Sequence, residues 1–534
     1  MKPKYIHPKE YTELRSIYKY YIDTYNVLYQ LKTENEEELN SIYKIIKTEL
    51  IDSRNYSPTS IVKDVFSIII FNNRYTNSYL TLAKFITDDY HLTQIDDNYF
   101  LPYILFYKKY GIKLINHIDC KNDFTNIDIH RENTICNAIM YNDLERFIFF
   151  TEREGFDKDQ KISSHLYPYG YNCYSLLELC CYHGAVDCFK LLRSKFQLEI
   201  TEICLEFSFL GGNAEIMSEC LKYQTPNKEC MEYAIISHNI DFVTFLMNEY
   251  NIEINLFYCE TFKNLEAFLV YLDQTKDVNK CLFYSSIFNI QSFFEYLLSL
   301  GANINEQYDL GRTALHMATL NNRKEMVEIL ISKGANINEQ TNYGETTLHF
   351  AAENNYKEIV EFLISHGAKI NEKDINGATA LHKAAGNNCK GIVEFLISHG
   401  AKINEKDHNG MSILYYAARG QSKETAELLI SHGANINEKD NHGFTALHNA
   451  ALNNGNEIAE LLITHGANIN EIDNDRKTAL CIAAEYNNKE TAEVLISHGA
   501  NINEIGIRGK IALHYAERNN YEEITQNRCN CRLF

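Results

Sequence analysis

No run of residues in this chain stays apolar long enough to cross a bilayer. The longest nearly apolar stretch, Val65-Phe66-Ser67-Ile68-Ile69-Ile70-Phe71, is interrupted by a serine, whereas a transmembrane helix takes about 20 such residues. Positive charge is in deficit as well: 51 Lys and Arg against 71 Asp and Glu leave a formal charge of −20. A surface of that sign repels phosphate backbones and anionic lipid, so neither nucleic acid nor membrane insertion is expected. Met1-Lys2-Pro3-Lys4-Tyr5 lacks the apolar core of a secretion leader. The 15 cysteines are odd in number and irregularly spaced, unlike a disulfide framework. The expectation is an intracellular, cytoplasmic chain with free thiols. Proline is scarce: all six lie at or before Pro226.

What is present is ordinary globular composition, 45% hydrophobic and 23% charged, over 534 residues. That length suggests several compact domains unless the chain is a repeat array, and a repeat is its strongest signal. Gly301-Ala302-Asn303-Ile304-Asn305 recurs at Gly334, Gly367, Gly400, Gly433, Gly466 and Gly499, always 33 residues on. A second landmark keeps the same interval at Gly311, Gly344, Gly377, Gly410, Gly443 and Gly509, with Arg476 replacing the glycine once.

One unit shows the physics. Thr379-Ala380-Leu381-His382-Lys383-Ala384-Ala385 begins a short helix with a capping hydroxyl. Asn387-Asn388 ends it, since asparagine tolerates the left-handed conformation that terminates a helix. Ile392-Val393 and Phe395-Leu396-Ile397 give a second helix with an apolar stripe, stopped at Gly400. A polar hairpin over 401–410 leads to the next unit. Two such helices cannot bury their own apolar faces and must stack on neighbours.

These units resemble ankyrin repeats. The family signature Thr-Pro-Leu-His-x-Ala stands here with alanine for proline, at Thr313-Ala314-Leu315-His316-Met317-Ala318, Thr379 to Ala384 and Thr445 to Ala450. Departures are Thr347 in the alanine slot, Ser412-Ile413-Leu414-Tyr415, Cys481 for histidine, and Lys510-Ile511-Ala512-Leu513-His514. The resemblance implies an all-α-dominated solenoid of helix–turn–helix plus hairpin units over residues 301–534, seven repeats in all. After Glu523-Ile524 the apolar pattern is lost, which predicts a polar cap over 510–534. The resemblance also implies a concave protein-binding surface made by hairpins and first helices, with the signature histidine bridging neighbouring hairpins.

Upstream, Asn142-Asp143, Gly184-Ala185, Gly212-Asn213, Asn239-Ile240, Asn264-Leu265 and Asn289-Ile290 each precede an aromatic or aliphatic run. Residues 130–300 therefore read as degenerate ankyrin-like helix pairs without hairpins, stacked in line with the array. Residues 1–125 form an N-terminal helical domain: Leu14, Ile17, Tyr18, Tyr21, Tyr25 and Leu28 keep helical spacing, as do Leu39, Ile42, Ile46 and Leu50, and Ser57-Pro58-Thr59 starts a further helix. This layout resembles large ankyrin families of protist parasites, whose front is a domain of unknown function.

Candidate chemistry is weak throughout. His366, His399, His432, His465 and His498 each precede a helix-ending glycine. Helices pack about 8–10 Å apart, too far for equivalent histidines to share an ion, and a histidine there suits the helix C-terminus. Cys173, Cys180, Cys181, His183 and Cys188 cluster, but the adjacent Cys180 and Cys181 sit among leucines and lack paired zinc-ligand spacing. Cys529 and Cys531 have no histidine partner nearby. No phosphate-binding glycine loop or nucleophile motif occurs. No enzymatic activity, cofactor, metal or small-molecule substrate is expected.

The repeats can be compared with one another. Apolar positions agree between units, whereas the hairpin tip and the end of the first helix vary. Flanking the hairpin glycine are Leu310 and Arg312, Tyr343 and Glu345, Met411, and His442 and Phe444; after the alanine pair come Glu353, Arg419 and Leu452. These ten residues are the candidate protein-binding positions of a non-enzymatic interaction scaffold. The alternative is an adaptor or regulator of an enzyme, with residues 1–125 recruiting the catalytic partner and the repeats selecting the target.

Overall fold

The computed structural model describes residues 9–54, 56–95, 100–115, 128–169 and 173–502. The expected polar cap over 510–534 lies outside them. Backbone packing divides the chain into two compact units, residues 1–277 and 278–534. Nearly all regular structure is α-helical; the one sheet among the described residues pairs Lys161–Ser163 with Cys173–Ser175.

The first unit begins with helices Lys9–Ile17 and Lys19–Tyr29, broken at Tyr18. Leu14, Tyr18, Tyr21, Tyr25 and Leu28 are buried as their spacing predicts, but Ile17 at the break is exposed. Glu36–Ile46 follows, capped by Asn35, and here Tyr43 is buried while Ile42 is half-buried. Pro58–Ile68 starts with proline in its first turn, where the missing N–H costs no hydrogen bond. Helix pairs then run from Ile135–Met140 to Leu265–Thr275. The expectation of pairs without hairpins misses the small sheet, which occupies the long interval between Leu144–Thr151 and Leu176–His183.

The front helices pack onto those pairs through buried polar groups. The Glu266 carboxylate is buried and accepts from Arg15 Nε, Tyr11 Oη and Asn26 Nδ2. His238, also buried, lies between Asn26 Oδ1 and the Phe262 carbonyl, both at 2.8 Å, and stacks on Tyr29. Asn73 Nδ2 donates to the Leu166 carbonyl at 2.7 Å, and Tyr182 Oη donates to the Ile70 carbonyl at 2.9 Å. Residues 9–115 and 128–277 are thus one body with a shared interior.

The second unit opens with the pair Val278–Ser285 and Gln291–Ser299. Six pairs of constant length follow, from Ala314–Leu320 with Lys324–Ser332 to Ala479–Glu485 with Lys489–Ser497. In the central unit Leu381, Ala384, Ala385, Ile392, Val393 and Leu396 are all buried against neighbours. The second asparagine of each turn takes the left-handed conformation, as Asn388 does at φ 55°, and Gln421 replaces it once at φ 52°. Arg476 adopts φ 56° where its siblings carry glycine. Along the loops, Asn338 Oδ1 accepts from the Lys369 N–H at 2.8 Å and Asn371 Oδ1 from the Lys402 N–H at 3.0 Å, which repeats the Asn-x-Asn motif as a ladder.

Candidate protein-binding surface

From residue 341 on, each described hairpin of the second unit is held by a buried residue at its base. Asp374 Oδ1 accepts the N–H groups of Asn376 and Ala378, both at 2.9 Å. Asp407 and Asp440 do the same for Met411 and Phe444, at 2.7 and 2.8 Å. Tips are then stitched together: the Asn342 N–H donates to the Leu310 carbonyl at 2.8 Å and the Ile375 N–H to the Tyr343 carbonyl at 2.9 Å. These bonds tie the backbones of neighbouring tips together.

The signature histidine joins one unit to the next. The Thr313 N–H donates to His316 Nδ1 at 3.1 Å, and His316 Nε2 donates to the Glu339 carbonyl of the following hairpin at 3.2 Å. His349 and His448 make the second bond to the Ala378 and Lys477 carbonyls, also at 3.2 Å. His382 keeps the bond to Thr379, and its Nε2 faces the Glu405 carbonyl of the following hairpin without a well-formed bond. Burial pushes the imidazoles of His316 and His382 down to about 4, and it lowers those of His349 and His448. Neutral rings are what a one-donor, one-acceptor role requires.

The helix-ending histidines act locally. Nδ1 of His366, His399, His432, His465 and His498 donates to the carbonyl four residues back, at 2.8 to 2.9 Å. The cysteine cluster does not converge: Cys173 is exposed on a strand, Cys180 and Cys188 are buried, and the buried free thiol of Cys181 neighbours those of Cys204 and Cys220 instead. His183 is taken by Tyr167 Oη at 3.1 Å. No group of three or more metal-ligating side chains among the described residues could hold an ion.

The ten candidate positions fall into two sets. Leu310 and Tyr343, 44% and 46% exposed, and the exposed His442 lie at hairpin tips. Arg312, Glu345, Met411 and Phe444 also belong to the hairpins, just past the tip glycine, and Glu353, Arg419 and Leu452 end first helices; Met411, Phe444 and Leu452 are half-buried and Arg419 is exposed. Some are engaged within the unit. Glu345 pairs with Lys383 at 3.0 Å, and Lys383 also reaches Asp374 at 3.3 Å. The Arg312 guanidinium lies 5.7 Å over the Phe350 ring, and the Phe444 ring lies 5.4 Å from His448. Half-buried Glu353 sits near enough to Lys383 to favour its charged form.

Two features escaped the sequence reading. Ile375, 55% exposed, joins Leu310 and Tyr343 in a row of apolar tips. The fourth residue after each cap faces the same way as the end of its helix, because residues three and four apart share a face. That slot reads Met317, Phe350, Lys383, Tyr416, Asn449 and Ile482. It varies in every unit, which is the signal that would have found it.

Among the described residues, no helix is long and apolar enough to cross a membrane. No curated protein matches the chain. A family model for ankyrin repeats in three copies matches residues 282–374, 338–407, 381–473 and 447–527. A model for a domain of unknown function (DUF3447) matches residues 196–271, within the helix pairs of the first unit. Ankyrin repeats are in general protein–protein interaction modules, typically without catalytic activity of their own. The regular spacing, the capped first helices, the bridging histidines and the matched models agree: this chain is an ankyrin-repeat protein, an all-α repeat solenoid with a domain of unknown function N-terminal to the repeats.

Proposed function

We propose that the second unit holds partner proteins on the face made by its hairpin tips and first helices, and performs no chemistry of its own. The observation that carries this reading is the row Leu310, Tyr343 and Ile375. Three large apolar side chains stand exposed on neighbouring tips whose backbones are tied together. A contiguous exposed apolar row on a rigid frame is a common mark of an interaction site. Met411 and Phe444 add half-buried apolar groups on later hairpins and Leu452 one at the end of a first helix, and aromatic and flexible apolar anchors dominate protein interfaces. The polar candidates Arg312, Glu345, Glu353, Arg419 and His442 frame the row and set its selectivity.

Every cysteine among the described residues is a free thiol, in keeping with a cytoplasmic scaffold. An enzyme-recruiting role for residues 1–125 would be exercised as part of the larger first unit, since those helices share its interior.

The test uses the full chain as bait in extract from its native cell, with recovered proteins identified by mass spectrometry. Replacing Tyr343, Met411 and Phe444 together with alanine should weaken the recovered partner by at least about tenfold, or about 1.4 kcal/mol. A triple variant with unchanged helical circular dichroism and undiminished binding would overturn the assignment.

A further inference from the structure

The first unit contains a cavity of about 420 Å³ where the front helices meet the turns between repeat helices. Its wall is built from five separated stretches: residues 29–32, residues 71–75, and the turns around 183, 212 and 238. In a chain with 71 acidic residues, none of the wall residues is Asp or Glu. Two of them are cations. The Lys32 ammonium is exposed and has no ion pair or hydrogen bond among the described residues. Arg74 is fixed by one bond from Nη2 to the His183 carbonyl, at 2.8 Å, and its ring contact with Tyr141 uses no further N–H group.

The turns add backbone donors. Where the second helix of a pair begins, the first N–H usually closes onto a carbonyl five residues back. Ala185 does so to Cys180 at 2.8 Å and Asn264 to Cys259 at 2.9 Å. Asn213 and Asn239 occupy the same place in the two intervening turns, and their N–H groups have no acceptor among the described residues. Both residues line the cavity. Unpaired amide groups beside two cations, in a wall without carboxylates, complement negative charge.

We infer that this cavity binds a small organic anion, a phosphate ester or carboxylate, through Lys32, Arg74 and the backbone N–H groups of Asn213 and Asn239. Its volume falls in the range of small-molecule sites, roughly 300–1,000 Å³, and suits an anionic head with a modest organic body against Tyr29. The site lies within the first unit and involves no turnover. Occupation would tie the front helices to the repeat turns, since Lys32 and Arg74 belong to the front and the two amides to the repeats.

The test is a titration of the isotopically labelled full chain with inorganic phosphate, and separately with citrate, at constant ionic strength. Amide resonances of Asn213 and Asn239 should shift saturably with at least one of the two anions. Lys32→Glu, at an exposed residue whose loss leaves folding intact, should weaken the response about tenfold or more. It should also remove any rise in melting temperature that the anion causes. No saturable shift with either anion, shifts confined to other residues, or the same saturation in Lys32→Glu would each overturn the inference.

Discussion

Acid should loosen the repeats of the second unit through their signature histidines. His316 and His382 are held neutral by burial, with the imidazole pushed down to about 4, against about 6.5 in an unfolded chain. A group whose folded value lies below its unfolded value stabilises the fold fully above 6.5. That contribution is lost as pH falls from 6.5 through 4, because the unfolded chain then binds the extra proton. The gap corresponds to about 3 kcal/mol for each ring. Protonation also removes the acceptor that Nδ1 offers to the Thr313 and Thr379 N–H groups, so the cap and the proton compete for one atom. Hydrogen exchange of the full chain, corrected for the intrinsic pH dependence, should show protection over 313–332 and 379–398 falling steeply between pH 6.5 and 4.5. Replacing both histidines with glutamine should lower protection at neutral pH and flatten that fall. Ring resonances titrating near 6.5 in the folded chain, or protection that stays level across the interval, would refute the reasoning.

Two further substitutions probe packing. Leu396→Ala removes a fully buried side chain and should cost about 2–5 kcal/mol, with hydrogen-exchange losses confined to about 368–433 because each unit touches only its neighbours; uniform loss across the chain would contradict the stacking. A methyl on Gly420 would collide with the Gly386 carbonyl oxygen, whereas one on Gly391, inside the helix Lys390–Ser398, would meet nothing. Gly420→Ala should therefore cost about 1–3 kcal/mol and Gly391→Ala should gain about 0.5–1 kcal/mol, both read from chemical denaturation.

The regular repeats were legible because each rests on short-range chemistry. A capping threonine, a histidine three residues on, an asparagine at the turn and a helix-ending glycine all act within a few residues, and recurrence every 33 residues exposes them. The docking of the front helices was not legible. Glu266 meets Tyr11, Arg15 and Asn26 across 255, 251 and 240 residues of chain, and no periodicity links such partners. The cavity was hidden for the same reason, being assembled from stretches that carry no shared motif. Engagement within the surface was also invisible: Glu345 reads as a free charge, and only the fold shows Lys383 already bound to it. Ile375 lies one residue before the variable slot at the hairpin glycine, and only the tip geometry sets it beside Tyr343.

The most direct measurement of the partner-binding claim is a hydrogen-exchange footprint of the full chain with and without its recovered partner. Binding on the proposed face should protect the hairpin tips and first helices, residues 308–320, 341–353, 374–386, 409–419 and 442–452, and leave the second helices such as Lys357–Ser365 and Lys390–Ser398 unchanged. Protection confined to those second helices, or to residues 9–277, would contradict it.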